Sequence, residues 1–357
     1  MSQLTAISLF SGCGGLDLGF RNAGFEILLG VDNDPFSARS HAVNFPNSKF
    51  FTGSIADFTQ DEATALVGKD ALENVDLLIG GPPCPPFSKS RFYRTDKPRA
   101  MDDPVGEVTI GGYLATLAWL RPRAFLLENV AGMAFKVHSD TLDHIVATAE
   151  ALGYRCEKKV LNAADFGVPQ IRQRFFLVGT LNSAFEWPFS THSDPTTVDS
   201  SLPPWETAGS VINDLDTEEN ANDIGHVAGG KHRALLEQIP PGDNYLFLTA
   251  KRGHVNPQFE WRKRYWSFLL KLSPDMPSWT IQARRSNNMG PLHWKNRILR
   301  IEEVKRLQTF PDDWYLDGKV EQQWRQVGNA VPTRLALALA QALSLALLKV
   351  ENEPKAA

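Results

Sequence analysis

Short apolar segments alternate with helical patterns through residues 1–180. Apolar runs of about four to eight residues indicate buried strands, and apolar positions that recur every three or four residues indicate helices. The predicted strands are Ala6–Phe10, Glu26–Val31, Val75–Gly80, Ala124–Glu128, Arg155–Leu161 and Phe175–Gly179. Helical patterns lie between them, for example at Tyr113–Leu120 and Thr141–Leu152. The alternation predicts an α/β fold with a doubly wound, mostly parallel sheet that helices cover on both faces.

The pattern changes beyond this region. Residues 181–300 are rich in Pro, Ser, Thr, Asp and Trp, have weak periodicity and contain many loop signals, so we expect a smaller, loop-rich domain. Helical patterning returns at Ile301, and an Ala/Leu-rich helix is expected from near Thr333. The predicted domains are residues 1–185 together with 301–357, and residues 186–300.

The chain carries no signal for export or for membrane insertion. No basic segment precedes a hydrophobic run near the N-terminus, as a signal peptide would require. The most apolar run, Leu335–Leu348, is interrupted by Gln341 and Ser344 and is too short to span a bilayer. We therefore expect a cytoplasmic protein in which this run forms a buried helix.

The net charge of −4 conceals an uneven distribution. Residues 191–225 contain eight acidic residues and no Lys or Arg, whereas residues 251–306 contain thirteen basic residues and four acidic ones. Binding of nucleic-acid phosphates requires local rather than global positive charge. The basic stretch is therefore either a nucleic-acid-binding surface or a solvated basic face.

The three cysteines, Cys13, Cys84 and Cys156, are odd in number and far apart. Their spacing matches neither a disulfide framework nor a metal site, so we expect three free thiols and no bound metal. A single cysteine is usually a small buried hydrophobic residue, so a catalytic role must be argued from its sequence context.

A glycine-rich segment, Ser11–Gly19, follows the first predicted strand and opens a helix. Glycines at such a turn let a ligand approach the backbone and leave helix N–H groups free for an anion. The dinucleotide fingerprint would need a glycine at the position of Asp17, which argues against a nicotinamide or flavin cofactor. Asp32, at the end of the second strand, could accept both ribose hydroxyls of a nucleoside-containing cofactor. The alternative is a tight turn without a ligand.

Cys84 lies in the segment Gly80–Ser88, which follows the third predicted strand and contains four prolines. Ligands of doubly wound sheets bind beyond the carboxyl ends of the strands, and flanking prolines fix the backbone there. Because the pKa of a free cysteine is near 8.5, roughly a tenth of it is thiolate at about pH 7.5. Cys84 is therefore the candidate nucleophile.

Glu128 ends the next predicted strand among apolar neighbours. Desolvation would raise its pKa, and the protonated carboxyl could hydrogen-bond a ring nitrogen and activate an electrophile for thiolate attack. The alternative is a carboxylate that caps a helix.

The segment Gln170–Arg174 places Arg172 and Arg174 two positions apart, on one face of an extended chain. Planar, permanently charged guanidinium groups suit a phosphate or a pyrimidine carbonyl. The alternative is internal salt bridging to the acidic loops.

Together these motifs resemble the ordered sequence blocks of the DNA cytosine-5 methyltransferase family, and the resemblance covers essentially the whole chain. The blocks are Phe10–Gly15, Gly81–Cys84, Glu128–Val130, Gln170–Arg174, Arg306–Pro311 and Gln326–Pro332.

The resemblance implies a Rossmann-like methyltransferase that uses S-adenosylmethionine, releases S-adenosylhomocysteine and acts on a flipped cytosine in a specific sequence of double-stranded DNA. It implies that Cys84 attacks C6, that Glu128 contacts N3 and the exocyclic amine, and that Arg174, with Arg172 as a further catalytic residue, contacts O2. Phe10 would pack on the adenine, and Asp32 would bind the ribose. The other implied cofactor-binding residues are Gly12, Gly14, Gly15, Leu16, Asn33, Ser54, Ile55, Pro83, Asn329 and Val331.

Residues 186–300 would be the target-recognition domain, with the basic stretch facing DNA. Arg pairs well with guanine and Asn with adenine in the major groove, which makes four residues of this domain candidate readers. The implied DNA-binding residues are Ser88, Arg284, Arg285, Asn287 and Asn288.

Four positions depart from the family pattern. Pro85 and Pro86 follow the nucleophile where a Gln or a similar residue is usual, Asp32 replaces the commoner Glu, and Ser54 stands where an Asp often contacts the adenine amine. The shorter Asp32 and the hydroxyl of Ser54 could lower cofactor affinity.

Three other functions compete with this one. An amino-group DNA methyltransferase would need an Asp/Asn-Pro-Pro-aromatic cluster, which the sequence lacks. A transfer-RNA cytosine-5 methyltransferase and a catalytically silent DNA-binding regulator remain alternatives. The family and the size suggest a monomeric prokaryotic or phage enzyme, with a restriction endonuclease acting on the same site as a companion that need not bind it.

Overall fold

The computed structural model describes residues 3–83, 103–197, 201–217, 226–262 and 265–351. Within these ranges the largest sheet has seven strands in the order β3-β2-β1-β4-β5-β8-β6. These strands are β1 (Thr5–Leu9), β2 (Glu26–Asp32), β3 (Lys49–Thr52), β4 (Leu77–Gly80), β5 (Ala124–Val130), β6 (Arg155–Asn162) and β8 (Gln173–Thr180). Two short strands, β7 (Gln170–Ile171) and β9 (Ser278–Trp279), pair separately and in parallel.

The mostly parallel sheet predicted from the sequence is confirmed. Strands β3, β2, β1, β4 and β5 are parallel neighbours, whereas β8 runs antiparallel to both β5 and β6. All six predicted strands are present, with ends that differ by a few residues. The prediction missed β3, an edge strand whose side chains are only partly buried or exposed and therefore form no apolar run.

Helices cover both faces of the sheet. In chain order they are α1 (Gly15–Asn22), α2 (Pro35–Asn44), α3 (Gln60–Val67), α4 (Lys69–Glu73), α5 (Pro104–Leu120), α6 (Ser139–Ala151), α7 (Ala208–Ile212), α8 (Arg233–Gln238), α9 (Ile301–Leu307), α10 (Val320–Asn329) and α11 (Thr333–Glu351). Because successive strand residues point to opposite faces, Leu77 and Ile79 belong to one buried cluster and Leu78 to the other. The first cluster includes residues of α1, α10 and α11, and the second includes residues of α5 and α6.

The expected C-terminal helix, α11, is present and packs closely on α1. A Cβ placed on Gly19 would lie 2.3 Å from the Cβ of Ala336, so a larger residue would separate the two helices. The run Val320–Lys349 is apolar and long enough to cross a membrane by length and composition alone. However, it spans α10 and α11, and 56% of its most apolar window is buried inside the protein, as in the core helix of a soluble protein.

The region between β8 and α9 contains only short elements among its described residues. It is joined to the sheet domain by a shared core, since Ala208 and Ile212 of α7 lie in the same buried cluster as Val304 and Leu307 of α9. The loop-rich texture expected from the sequence is therefore observed, and its packing is continuous with that of the C-terminal helices.

Part of the basic stretch is buried or paired with acidic residues, which corrects the expectation that the stretch as a whole faces DNA. Arg306 pairs with Asp214 at 2.6 Å, and Lys295 and Arg297 both pair with Asp216 of the acidic segment. Arg297 also pairs with the buried Glu303 at 2.5 Å. Opposite charges in the two segments thus stabilise the fold, and a smaller group of exposed cations is left for a ligand.

Candidate active site

The ends of β4 and β5 bring Gly81 and Glu128 into contact. Gly80 is the register partner of Leu127, so the residues that follow these two strands lie side by side. A Cβ placed on Gly81 would lie 2.8 Å from Oε2 of Glu128, which is closer than side-chain atoms pack. Glycine at position 81 therefore allows the backbone that leads to the candidate nucleophile to pass directly over the carboxyl group.

Asn129 fixes the same backbone. Its buried side chain donates from Nδ2 to the main-chain oxygen of Pro82 at 3.1 Å and accepts the N–H of Val130 at Oδ1. Pro83, the last described residue before a gap, is exposed. Cys84, Pro85, Pro86 and Ser88 lie outside the described residues.

Glu128 forms an ion pair with Arg174. The distance between Nε of Arg174 and Oε1 of Glu128 is 3.0 Å, and both side chains are nearly buried. Antiparallel pairing of β5 with β8, in which Val130 is opposite Arg174, brings the two residues together. Burial raises the pKa of Glu128, although the nearby Arg174 and Arg172 partly oppose this rise. The site therefore contains a carboxyl group that retains its proton more readily than an exposed one.

Arg172 has a different environment from Arg174. Its guanidinium is buried and donates to three main-chain oxygens, those of Ile281 at 2.9 Å, Gly328 at 2.9 Å and Ala330 at 3.0 Å. The structure therefore does not direct both arginines of the segment to one ligand, as their spacing suggested. The extended chain is interrupted at residue 172, where β7 ends and β8 has not begun.

Gln170 binds the main chain of Ile281, as Arg172 does. The sequence alone had assigned no role to Gln170. Its Oε1 accepts the N–H of Ile281 at 3.0 Å, while its Nε2 donates to Oε1 of Gln308 at 2.8 Å. Gln308 in turn donates to the main-chain oxygen of Val327 at 2.7 Å. Both peptide groups of Ile281 are thus bound by side chains of the segment Gln170–Arg174. The sequence signal for these structural roles was that Gln170 and Gln308, two long polar residues, lie close to apolar residues.

The glycine-rich turn approaches Asp32 as expected. The N–H of Gly12 donates to Oδ2 of Asp32 at 2.9 Å, and the N–H of Asp34 donates to Oδ1 at 2.9 Å. Phe10 and Gly12 have positive φ angles of 56° and 55°, and a Cβ on Gly12 would meet no atom within 4 Å. The backbone of Gly12 therefore borders open space beside a carboxylate. Burial raises the pKa of Asp32, while its backbone hydrogen bonds lower it.

The C-terminal segment closes against this turn. A Cβ on Gly15 would lie 2.7 Å from the main-chain oxygen of Val331 and 2.8 Å from the Cβ of Ala330. Val331 is buried, whereas Asn329, the last residue of α10, is exposed. The structure thus brings together the two ends of the chain that the family resemblance assigns to one cofactor pocket.

The remaining predicted cofactor residues lie around the ends of β1, β2 and β3. Gly14 precedes α1 with φ of 85°, and Leu16 and Ile55 are buried. Asn33 is exposed, and the hydroxyl of Ser54 accepts the N–H of Ala56 at 3.2 Å. Ser54 thus caps a short 3₁₀ turn, and its hydroxyl hydrogen remains available to a ligand.

Asp17, whose presence argued against the dinucleotide fingerprint, is buried and forms contacts within the protein. Its buried carboxylate accepts the hydroxyl of Ser8 at 2.5 Å and lies 2.9 Å from Nε2 of His41. Nothing in the sequence indicated this pairing, because Asp17 and His41 belong to different helices.

The candidate DNA-reading residues fall into two groups. Arg284 and Asn287 are exposed. Arg285 lies 3.7 Å from the carboxylate of Glu321, and Asn288 donates to Oδ1 of Asn287 at 3.0 Å. Arg284 and Asn287 are therefore better placed to meet a ligand from solvent.

The two cysteines among the described residues are poor nucleophiles. Cys13 is buried, and burial raises the pKa of its thiol far above the usual range. Burial also raises the pKa of Cys156, on β6, to about 11. A thiol that remains protonated near neutral pH is a weak nucleophile.

Comparison with known proteins identifies the family. The family model described as C-5 cytosine-specific DNA methylase matches residues 4–345. The type II methyltransferase M.SacI of Streptomyces achromogenes is 35% identical, over 96% of this chain and 93% of that protein. M1.HphI of Haemophilus parahaemolyticus is 32% identical, over 96% and 87%. A solved Escherichia coli prophage protein described as a putative DNA modification methyltransferase shares the fold, with a TM-score of 0.67, 24% identity and coverage of 97% and 99%. The chain therefore belongs to the C-5 cytosine-specific DNA methylase family and is a DNA (cytosine-5-)-methyltransferase.

Proposed function

We propose that this enzyme methylates C5 of a flipped cytosine in a specific sequence of double-stranded DNA, through a covalent bond between Cys84 and C6 of the base. The observation that carries the proposal is the nearly buried pair of Glu128 and Arg174, which lies against the backbone of Gly81. A base must leave the stack to reach such a site.

Glu128 and Arg174 would bind the cytosine ring. With its pKa raised by burial, Glu128 can donate a proton to N3 and accept a hydrogen bond from the exocyclic amine. Arg174 uses Nε for Glu128 and Nη1 for the main-chain oxygen of Gln173, which leaves Nη2 to donate to O2 of the base. The ion pair thus orients both groups before the base arrives.

Cys84 would supply the nucleophile, because it follows Gly81–Pro83 and the other two cysteines have raised pKa values. Its thiolate adds to C6 while N3 takes a proton from Glu128, and C5 gains enamine character. Bound S-adenosylmethionine would supply a methyl group on a sulfonium, an electrophile for C5, with S-adenosylhomocysteine as the other product. A base, which can be water, then removes the C5 proton, the electron pair of the C5–H bond expels the Cys84 thiolate, and N3 returns its proton to Glu128.

The cofactor pocket would be formed by the glycine-rich turn and the C-terminal segment. The open space at Gly12 and the carboxylate of Asp32 beside it suit a ribose, and Phe10 lies at the start of the same turn. Each Asp32 oxygen already accepts one backbone N–H and has a second lone pair for a ribose hydroxyl. Val331 against Gly15 would close the pocket.

Residues 186–300 would recognise the target sequence, with Arg284 and Asn287 as the exposed candidate readers. Arg172 is better explained as a positioning residue than as a group that touches the base, because its three hydrogen bonds go to main-chain oxygens. The type II relatives support a role beside a restriction endonuclease that recognises the same site. We expect a monomeric enzyme of the cytoplasm.

Trapping on fluorinated DNA tests the mechanism. Bisulfite sequencing of DNA from cells that express the chain first identifies the methylated site. A duplex with 5-fluorocytosine at that site should then give a stable protein–DNA adduct, because fluorine cannot leave as a proton. Cys84→Ala should give no adduct, whereas the matched control Cys156→Ala should give as much as the wild type.

An adduct formed by Cys84→Ala would refute the assigned nucleophile. A separate assay of methyl uptake compares transfer RNA with duplex DNA as the substrate. Methyl uptake by transfer RNA but not by duplex DNA would overturn the assigned substrate, and uptake by neither would favour a silent DNA-binding protein.

A further inference from the structure

Two exposed tryptophans form a pair on the surface of the loop-rich region. Trp266 and Trp279 are 43% and 39% exposed, and their ring centroids lie 5.2 Å apart with 68° between the ring planes. Large apolar side chains that remain exposed in a pair commonly mark a binding surface. The edge-to-face contact orders both rings in advance, so less conformational entropy is lost when a ligand binds.

Strand pairing places Trp279 close to the candidate active site. In the parallel pair of β7 and β9, Ile171 is the register partner of Trp279. Arg174, which binds Glu128, follows Ile171 by three residues, so their backbones lie no more than about 10 Å apart, the length of three fully extended residues. A ring at this distance could reach a nucleotide that neighbours a base bound by Glu128.

The backbone around Trp279 is fixed by hydrogen bonds on both sides. The N–H of Ser278 donates to the oxygen of Pro169 at 2.8 Å, and the hydroxyl of Thr280 donates to the oxygen of Ile171 at 2.8 Å. Asn244 donates to the main-chain oxygen of Trp266 at 2.7 Å. Both tryptophans are therefore carried on anchored backbone and are presented to solvent in a defined orientation.

We propose that Trp266 and Trp279 form a stacking surface for a DNA base adjacent to the flipped cytosine. The inference rests on the proposed function, since it requires duplex DNA in the active site. Removal of one base from the stack leaves its neighbours with exposed faces, and indole rings stack on bases of any sequence. Arg284, five residues beyond Trp279 in the sequence, is exposed and would supply positive charge for the adjoining phosphates. Charge and aromatic surface together fit DNA better than an apolar protein partner.

Base deletion combined with ring deletion tests the proposal. The duplex is the site identified by bisulfite sequencing, and a set of variants carries one abasic residue at each position beside the target cytosine or opposite it. Dissociation constants are measured with S-adenosylhomocysteine present, for the wild type, Trp279→Leu, Trp279→Phe and Trp266→Leu. Phe189→Ala is the matched control, because this ring is 89% exposed and forms no ring contact with the described residues.

Trp279→Leu should weaken binding to the intact duplex roughly tenfold to a hundredfold, and Trp279→Phe should weaken it less because it keeps an aromatic face. The difference in affinity between Trp279→Leu and the wild type should disappear on one abasic duplex, the one that lacks the base on which the ring stacks. Trp266→Leu should show a smaller loss that disappears on the same duplex. Phe189→Ala should bind every duplex like the wild type.

Two results would overturn the proposal. One is DNA binding by Trp279→Leu and Trp266→Leu that equals the wild type, which would leave the surface to a protein partner. The other is a loss of the same size on every abasic duplex, which would show that the ring supports the fold and does not stack on a base. In either case wild-type methylation of the duplex would be intact, so the proposed function would stand.

Discussion

Arg172 donates from Nη1 to the main-chain oxygen of Ile281 at 2.9 Å and so joins the segment that carries Arg174 to the segment that carries Trp279. The same guanidinium binds the oxygens of Gly328 and Ala330, which flank Asn329. One buried side chain thus connects the candidate base pocket, the proposed recognition region and the C-terminal part of the proposed cofactor pocket. Its planar group with several donors suits this position better than the single ammonium of lysine would.

Arg172→Lys should therefore destabilise the protein although it keeps the charge. The single ammonium group of a lysine cannot replace all three hydrogen bonds to the main-chain oxygens. Each buried polar group left without a partner costs ~1–3 kcal/mol. We expect a loss of about 2 kcal/mol or more in the free energy of unfolding, measured by urea denaturation. Binding of DNA and of S-adenosylhomocysteine should both weaken.

Arg325→Lys is the control for this substitution. Arg325 is half exposed and pairs with Asp34 at 3.0 Å, and exposed ion pairs contribute only ~0–1 kcal/mol. A loss of equal size in the two variants would contradict the special role of the Arg172 contacts.

The pH dependence of the reaction should reflect the buried Glu128. Because burial raises the pKa of this carboxyl group, the protonated form persists to higher pH than for an exposed glutamate. As pH rises through the raised pKa, the proton for N3 is lost, so kcat/KM should fall on that limb. Glu128→Gln cannot deliver a proton; it should lower kcat by about 10² to 10⁴ and abolish the limb. Methyl transfer to the site duplex across the pH range measures both effects.

The contribution of Glu128 to stability should also fall as pH rises, whereas Glu128→Gln should affect activity and stability in opposite directions. The native state retains the Glu128 proton at pH values where the unfolded chain has lost it, so this group's contribution to stability declines from the ordinary carboxyl pKa upward. At neutral pH Glu128→Gln should therefore be at least as stable as the wild type.

Asp165 is the control for the pH profile of activity. Burial also raises the pKa of Asp165, which accepts the indole N–H of Trp205 and is absent from the proposed mechanism. Asp165→Asn should leave the activity profile unchanged.

The positions of Glu128 and Gly81 could be predicted from the sequence because parallel strands end at one edge of a sheet. An apolar run followed by a polar residue is therefore enough to place a side chain there. The pairing of Glu128 with Arg174 could not be predicted, because it depends on the antiparallel register of β5 with β8. The sequence of β5 or of β8 alone does not indicate which residues of the two strands are opposite each other.

Long-range packing also explains where the sequence interpretation differed from the structure. Arg172 and Arg174 would share a face if the strand were continuous, but β7 pairs with β9 and the strand is interrupted at residue 172, before β8 begins. Similarly, the count of basic residues did not show that Arg297 and Arg306 bind acidic residues of a distant segment. Local composition records how many charges are present and not where their partners lie.

Gly15→Ala should disturb the cofactor pocket through packing alone. The added Cβ would lie 2.7 Å from the main-chain oxygen of Val331, and an atom forced into a packed site costs ~1–3 kcal/mol. We expect a lower melting temperature and weaker binding of S-adenosylhomocysteine. Gly111→Ala is the matched control, because position 111 lies inside α5 with no atom within 4 Å of the new Cβ. That substitution should stabilise the helix by about 1 kcal/mol. Equal effects of the two alanines would contradict the proposed closure of Val331 on the turn.

Asp32→Asn should weaken cofactor binding more than it weakens the fold. Asp32 accepts the N–H of Gly12 through Oδ2 and the N–H of Asp34 through Oδ1, and in the proposed site its remaining lone pairs would accept the ribose hydroxyls. An asparagine keeps one acceptor oxygen and replaces the other by a donor, so one backbone bond and one ribose bond are lost together. Hydrogen bonds to a charged group contribute about 1.5–3 kcal/mol, which corresponds to an affinity for S-adenosylhomocysteine roughly tenfold to a hundredfold lower by calorimetry. Asp34→Asn is the control, since Asp34 caps α2 through the N–H of Phe36 and asparagine is an equally good cap. If Asp34→Asn lowered the affinity as much as Asp32→Asn, the ribose contact would have to be assigned elsewhere.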